Sequence, residues 1–153
     1  RNKLLSKAKY DNTMKLMFNK KKFIPDKHYK NLFFEKKDLV KLHSLGHSVG
    51  LHSHNHPIAI EKLSYAQQKN EYQKNLKIFL DILKIKKNDI KFMSHPCGSY
   101  NNDSLKILKD LGIELGFKQI MEIEIEKKMK KINNSSLEIA RQDHAQILMM
   151  MNK

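Results

Sequence analysis

Short apolar runs alternating with longer helical stripes predict an α/β fold with a parallel sheet for this 153-residue chain. Apolar side chains recur every three to four positions from Tyr65 to Leu83, and Asn102 to Leu111 reads as another helix. Between and after these stretches lie Val49–Leu51, Asp89–Met93 and Ile113–Phe117, each of strand length. Residues 1–153 read as one domain, because no internal repeat, linker or second domain interrupts this order.

Residues 1–22 form a weak helical pattern, with Leu4, Leu5, Ala8, Met14, Leu16, Met17 and Phe18 among many lysines. Pro25 ends it, since proline disfavours helix at the residue before it, and 26–34 reads as a loop. Glu35 to Leu45 carries Leu39, Val40, Leu42 and Leu45 at helical spacing, with Gly46 as its C-terminal cap. Ser64 starts the long helix whose stripe of Tyr65, Tyr72, Leu76, Phe79, Leu80 and Leu83 is core packing, with Gln67, Lys69, Asn70 and Lys74 facing solvent. Gly112 ends the helix from Asn102. Met121 to Lys131 alternates like an edge strand, Asn133–Ser136 is a loop, Leu137–Ala140 is a last strand, and His144 to Met151 a terminal helix.

Four of the eight histidines fall between His47 and His56, where Val49 and Leu51 suggest a buried strand ending at His52. Ser53, Asn55 and Pro57 then favour a tight turn. Imidazoles four positions apart, His52 and His56, converge on one cation if that turn is helical. A catalytic zinc takes three protein ligands, so the stretch proposes a site without completing it. Chance clustering is the competing reading, because His-x-x-x-His also occurs on ordinary helices.

A formal charge of +14 with pI near 9.8 raises nucleic acid or a membrane surface as partners. The lysines are spread along the whole chain, however, and no Arg-rich or aromatic-interleaved stripe marks a nucleic-acid groove. A solvated basic surface, one that would still attract an anionic glycan or nucleotide-linked sugar, fits that distribution better. The single Cys97 excludes an internal disulfide, and no stretch approaches the ~20 apolar residues of a membrane span. The chain opens on Arg1 without a signal-peptide pattern, so it reads as a fragment or processed product whose compartment, cytoplasm or cell envelope, is not legible.

The stretch Phe92-Met93-Ser94-His95-Pro96-Cys97-Gly98-Ser99-Tyr100-Asn101 sits where a strand hands over to a helix, so it should share a rim with the histidine turn. A thiol-hydrolase role for Cys97 lacks a paired signature. Taken together, Gly46-His47-x-x-Gly50-x-His52-Ser53-x-x-His56-Pro57, the Ser94–Asn101 stretch, and Leu137-Glu138-Ile139-Ala140-Arg141-Gln142-Asp143 resemble the motifs of the polysaccharide deacetylases, the NodB-homology domain of the fourth carbohydrate esterase family. The resemblance spans roughly residues 36–143.

What the resemblance implies is an irregular (β/α) barrel of the NodB-homology type and metal-dependent hydrolysis of N-acetyl or O-acetyl groups on a saccharide or glycan precursor. By match, His52 and His56 would bind the divalent metal, zinc foremost, while His54 is not carried over and His47 is structural. The backbone N–H of Cys97 would hold the oxyanion, although Cys97 replaces the family's aromatic residue and Ser94 its arginine. Arg141 would substitute for that arginine, unless it forms an ordinary surface pair with Asp143. His144 is the one late candidate for the acid, and His95 and Tyr100 are candidate substrate-binding residues.

The family's first motif, Thr-Phe-Asp-Asp-Gly or similar, supplies the base and third ligand and does not occur here. Either the chain begins just after that strand or the protein has lost it. As it stands, the chain is expected to release acetate near background. A catalytically inactive saccharide- or metal-binding NodB-like module is the alternative, and a basic nucleic-acid-binding protein a weaker one.

Overall fold

The computed structural model describes residues 6–28, 33–119, 135–141 and 144–151. The edge strand expected at 121–131, Leu4, Leu5, Asn133, Asn134 and Asp143 lie outside them. The chain divides into two compact units, Arg1–Lys41 and Leu42–Lys153.

In the first unit, Lys7–Lys20 forms helix α1, as the weak stripe predicted, with Ser6 accepting a hydrogen bond from the Lys9 N–H. Its C-terminus closes by two reversed bonds, Lys22 N–H to Asn19 O and Phe23 N–H to Phe18 O. The apolar pair that usually accompanies this closure is present, with the Phe18 and Phe23 rings 5.2 Å apart. A short 3-10 turn, Pro25–Lys27, occupies part of the expected loop. Helix α2 is Lys36–Ser44.

The second unit holds the sheet. Gly46, at φ +88, ends α2 as expected, with Gly46 N–H bonded to His43 O and His47 N–H to Leu42 O. Strand β1 is Gly50–Leu51, β2 Phe92–Ser94 and β3 Leu115–Phe117, all parallel in the order β1-β2-β3. Gly50 pairs with Phe92, and Met93 with Gly116. The strands are shorter than the sequence suggests because the chain enters β2 through a 3-10 turn at Lys87–Asp89. The expected strand at 137–140 is a single parallel bridge from Ile139 to Phe117.

Helix α3, Tyr65–Leu83, begins with a reciprocal cap in which Ser64 Oγ accepts from Gln67 N–H and Gln67 Oε1 from Ser64 N–H. Helix α4, Asn102–Asp110, is capped in the same way by Asn101 and Ser104. The core gathers Leu51, Met93, Tyr72, Leu76, Ile107 and Leu108 between sheet and helices. Each such side chain contributes ~1.5–3 kcal/mol when fully buried. Tyr65, read as part of the stripe, is instead 37% exposed, because it lies in the first turn of α3. Helix α5, His144–Met151, leaves Ile147 to Met151 exposed. Among the described residues no helix is long and apolar enough to cross a membrane.

Candidate active site

Because β1 and β2 are parallel, both deliver their following loops to one edge of the sheet, the carboxyl edge where α/β folds place ligands. His52 follows β1 and Ser94 ends β2, and His52 Nδ1 lies 2.7 Å from the Ser94 carbonyl oxygen. The two loops therefore share a rim, as expected. A carbonyl only accepts, so Nδ1 carries the proton and Nε2 keeps its lone pair. Burial, the largest influence, lowers the His52 pKa below 6.5; the Ser94 bond opposes this, and the charges of His56 and Arg141 add to it. His52 is thus the neutral imidazole that metal ligation requires.

The turn between His52 and His56 is not helical, the condition under which convergence was expected. Ser53 sits at φ +82 and His56 at φ +50, outside any helix. The rings converge nonetheless, with centroids 4.8 Å apart and planes tilted by 55°. Among the described residues, five non-glycine positions have positive φ. Lys22 and Lys84 are helix endings, whereas Ser53, His56 and Cys97 lie in the two loops at this edge. Each such conformation costs on the order of 1 kcal/mol, so backbone strain is concentrated at the rim.

What holds the histidine loop comes from α3. Asn75 Oδ1 accepts from the His52 N–H at 2.9 Å. Glu71 takes both donors of Asn55, the backbone N–H at 2.7 Å and the side-chain amide at 2.6 Å. Gln67, Lys69, Asn70 and Lys74 are exposed as expected, but Gln68, Glu71 and Asn75 are buried and were missed. Their signal was available in the spacing: 68, 71 and 75 fall on the same helical face as Tyr72 and Leu76.

The second loop is a 3-10 turn, Pro96–Gly98, with Cys97 exposed at φ +53. It is tied back by Glu61, whose carboxylate meets Ser99 Oγ and whose carbonyl accepts from Asn101 Nδ2 at 3.0 Å. His95 is buried at 1% exposure, its Nε2 donating to Leu137 O at 2.8 Å and its ring stacked on Tyr100 at 4.3 Å. Burial is again the main reason its pKa is lowered. Tyr100 OH donates in turn to Glu138 Oε1 at 3.0 Å. Among the described residues, His95 Nδ1, Ser94 Oγ and Ser53 Oγ are buried beside the rim with no hydrogen-bond partner.

The remaining candidates separate. Arg141 is exposed, and its charge reaches His52. His54 is exposed within the loop. His47 lies at the end of α2, where it lines a cavity of about 180 Å³ with His43 and Asp89, away from the carboxyl edge. His144 is exposed at the start of α5, and among the described residues no hydrogen bond or ring contact joins it to the pair. The His52 lone pair and the adjacent His56 ring fit two positions of a divalent-metal ligand set. Among the described residues no three His, Cys, Asp or Glu side chains are grouped to hold an ion, so the set is partial.

The chain is similar to several solved structures. The deacetylase PplD of Streptococcus pyogenes, in complex with acetate, is 23% identical with a TM-score of 0.59, covering 71% of this chain and 44% of that one. The BpsB deacetylase domain of Bordetella bronchiseptica is 13% identical with a TM-score of 0.56, covering 72% and 48%. A CE4 family pseudoenzyme from Bacillus anthracis is 22% identical with a TM-score of 0.46, covering 51% and 26%. The chain thus spans less than half the length of each. The first two likenesses establish that most of this chain has the fold of those two deacetylases. No curated protein sequence matches. The family model for polysaccharide deacetylase matches residues 4–116, a span that contains both rim loops and most of the sequence, and the chain belongs to the polysaccharide deacetylase family.

Proposed function

We propose that the carboxyl edge of this sheet is the site of a metal-dependent deacetylase acting on N-acetyl or O-acetyl groups of a saccharide, with residues 1–153 as one deacetylase-like domain. The observation that carries this reading is the His52–His56 pair: two rings 4.8 Å apart, one of them neutral with its Nδ1 proton committed to Ser94 O. His52 and His56 would hold a divalent ion, zinc foremost among candidates. Such an ion, when bound, polarises an acetyl carbonyl and lowers the pKa of water.

The protein's own groups divide the remaining work. Cys97 offers a backbone N–H in an exposed turn, and a backbone donor serves an oxyanion whatever its side chain. Arg141 supplies positive charge at the rim near His52. Tyr100, bonded to Glu138 and stacked on His95, would contact the saccharide, and His95 would shape its pocket from a buried position. Among the described residues no third His, Cys, Asp or Glu joins the pair, so a further metal ligand, and with it the proton acceptor for water, would come from elsewhere. His144 is the available late acid.

The partial ligand set also favours a second reading, a saccharide- or metal-binding module of the same fold without turnover. Acetate release from chitooligosaccharides, with and without added zinc, separates the two. Residues 1–153 should release acetate near background, and fusing ahead of Arg1 a strand that bears an Asp-Asp pair should restore zinc-dependent release. No gain in the fused protein would favour the binding module, and equal release from both would mean the base lies within residues 1–153.

A further inference from the structure

We infer that Glu71 and Asn75 of α3 are positioning residues that set the geometry of the His52–His56 pair, an inference that rests on the metal-site reading above for its functional consequence. Both are polar side chains on the apolar face of α3, 7% and 9% exposed, beside Tyr72 and Leu76. Polar groups in such places are destabilising unless fully bonded. Here their acceptors are spent on one target, the loop between the two histidines. Asn75 Oδ1 takes the His52 N–H at 2.9 Å, and the two oxygens of Glu71 take the Asn55 N–H and amide at 2.7 and 2.6 Å.

The geometry explains why the loop needs them. His52 and His56 converge without a helix, through positive φ at Ser53 and at His56 itself. Those conformations are locally unfavourable, and in isolation the segment would relax toward extended or helical backbone. Glu71 and Asn75 are one helical turn apart, so one rigid element grips the loop at its first histidine and at the residue before its second. The bidentate carboxylate holds the 54–55 peptide and the Asn55 side chain, directly before the positive φ of His56. The grip on His52 is completed from the other side by Ser94 O, which fixes the ring while Asn75 fixes the backbone. Each ligand is thus set by groups that would never touch the ion.

Neither residue would contact substrate or metal, so the test separates positioning from general stability. Zinc is titrated calorimetrically into the full chain and into Glu71→Ala, Asn75→Ala, Asn75→Asp and the core variant Leu76→Ala, at a temperature where each is folded. Amide hydrogen exchange at His52 and Asn55 is measured in the metal-free proteins. Glu71→Ala should lower zinc affinity by roughly 10- to 100-fold, the range seen when groups supporting a metal ligand are removed. It should also release the Asn55 amide from protection. Asn75→Ala should release the His52 amide, and Asn75→Asp, which keeps the acceptor oxygen, should restore both protection and affinity. Leu76→Ala should lower the melting temperature while leaving the affinity of the folded protein within about twofold of the parent. Unchanged zinc affinity and unchanged exchange at Asn55 in Glu71→Ala would overturn the inference, as would an equal affinity loss in Leu76→Ala. If the parent chain binds no zinc, the metal-site reading fails, and the exchange measurements alone then decide whether α3 sets the loop.

Discussion

Replacing Gly116 by alanine should damage this protein more than any other single methyl group added to a glycine of the sheet. A Cβ built on Gly116 would lie 2.5 Å from Leu137 O and 3.0 Å from Leu137 C and Cα. These are backbone atoms, so no side-chain rotation relieves the clash. Overpacking of this kind costs ~1–3 kcal/mol. The segment that must move shares three backbone hydrogen bonds with β3 and the residue after it, Gly116 N–H to Ser136 O, Ile139 N–H to Gly116 O and Lys118 N–H to Ile139 O. Weakening them adds about 0.5–1.5 kcal/mol apiece. A total of roughly 2.5–7.5 kcal/mol corresponds to a melting temperature lower by on the order of 10 °C or more in a domain of this size. Gly112→Ala is the matched control, because Gly112 has φ +86 but no atom within 4 Å of the added Cβ. Its cost is the left-handed backbone alone, about 1–2 kcal/mol. The displaced segment also carries Leu137 O, the acceptor of the buried His95 N–H, so Gly116→Ala should shift or lose the His95 Nε2–H resonance while Gly112→Ala preserves it. Equal melting temperatures in the two variants, together with an unchanged His95 resonance, would refute the close approach of these two backbones.

Further expectations follow from the rim. Burial holds the pKa of His52 and of His95 below 6.5, so as pH falls the unfolded chain binds protons that the folded chain refuses. Their contribution is fully present above pH 6.5 and is lost as pH falls toward their folded values; urea midpoints measured between pH 8 and pH 5 should drop, with a shallower drop in His95→Asn, and a flat profile would contradict the burial. Cys97→Ala should leave zinc binding and any acetate release of a competent form nearly intact, because only the backbone N–H is invoked; a loss of ~10³-fold or more would make the thiol a nucleophile.

The elements that sequence placed well are those with long-period signals. The stripes of α3 and α4 span several turns, and Gly46 and Gly112 mark helix ends through a backbone requirement that few other residues meet. Strands of two and three residues have no period to read, so their limits came from the 3-10 turn at Lys87–Asp89 and from pairing, neither of which leaves a local pattern. The histidine pair was legible, but the way it forms was not. Ser53 and His56 give no side-chain hint of positive φ, so the tight turn was legible but the non-helical route by which the rings converge was not. Glu71 and Asn75 were not singled out; their spacing places them on the buried face of α3, but their partners, the Asn55 and His52 amides, are distant in sequence and leave no local pattern.

Calorimetric titration of zinc into the parent chain and into His52→Ala, His56→Ala, His54→Ala and His47→Ala tests the metal site most directly. The paired rings and the neutral His52 predict that zinc binding is abolished in the first two variants and mostly preserved in the other two. A loss in His54→Ala equal to that in His52→Ala would contradict the choice of pair.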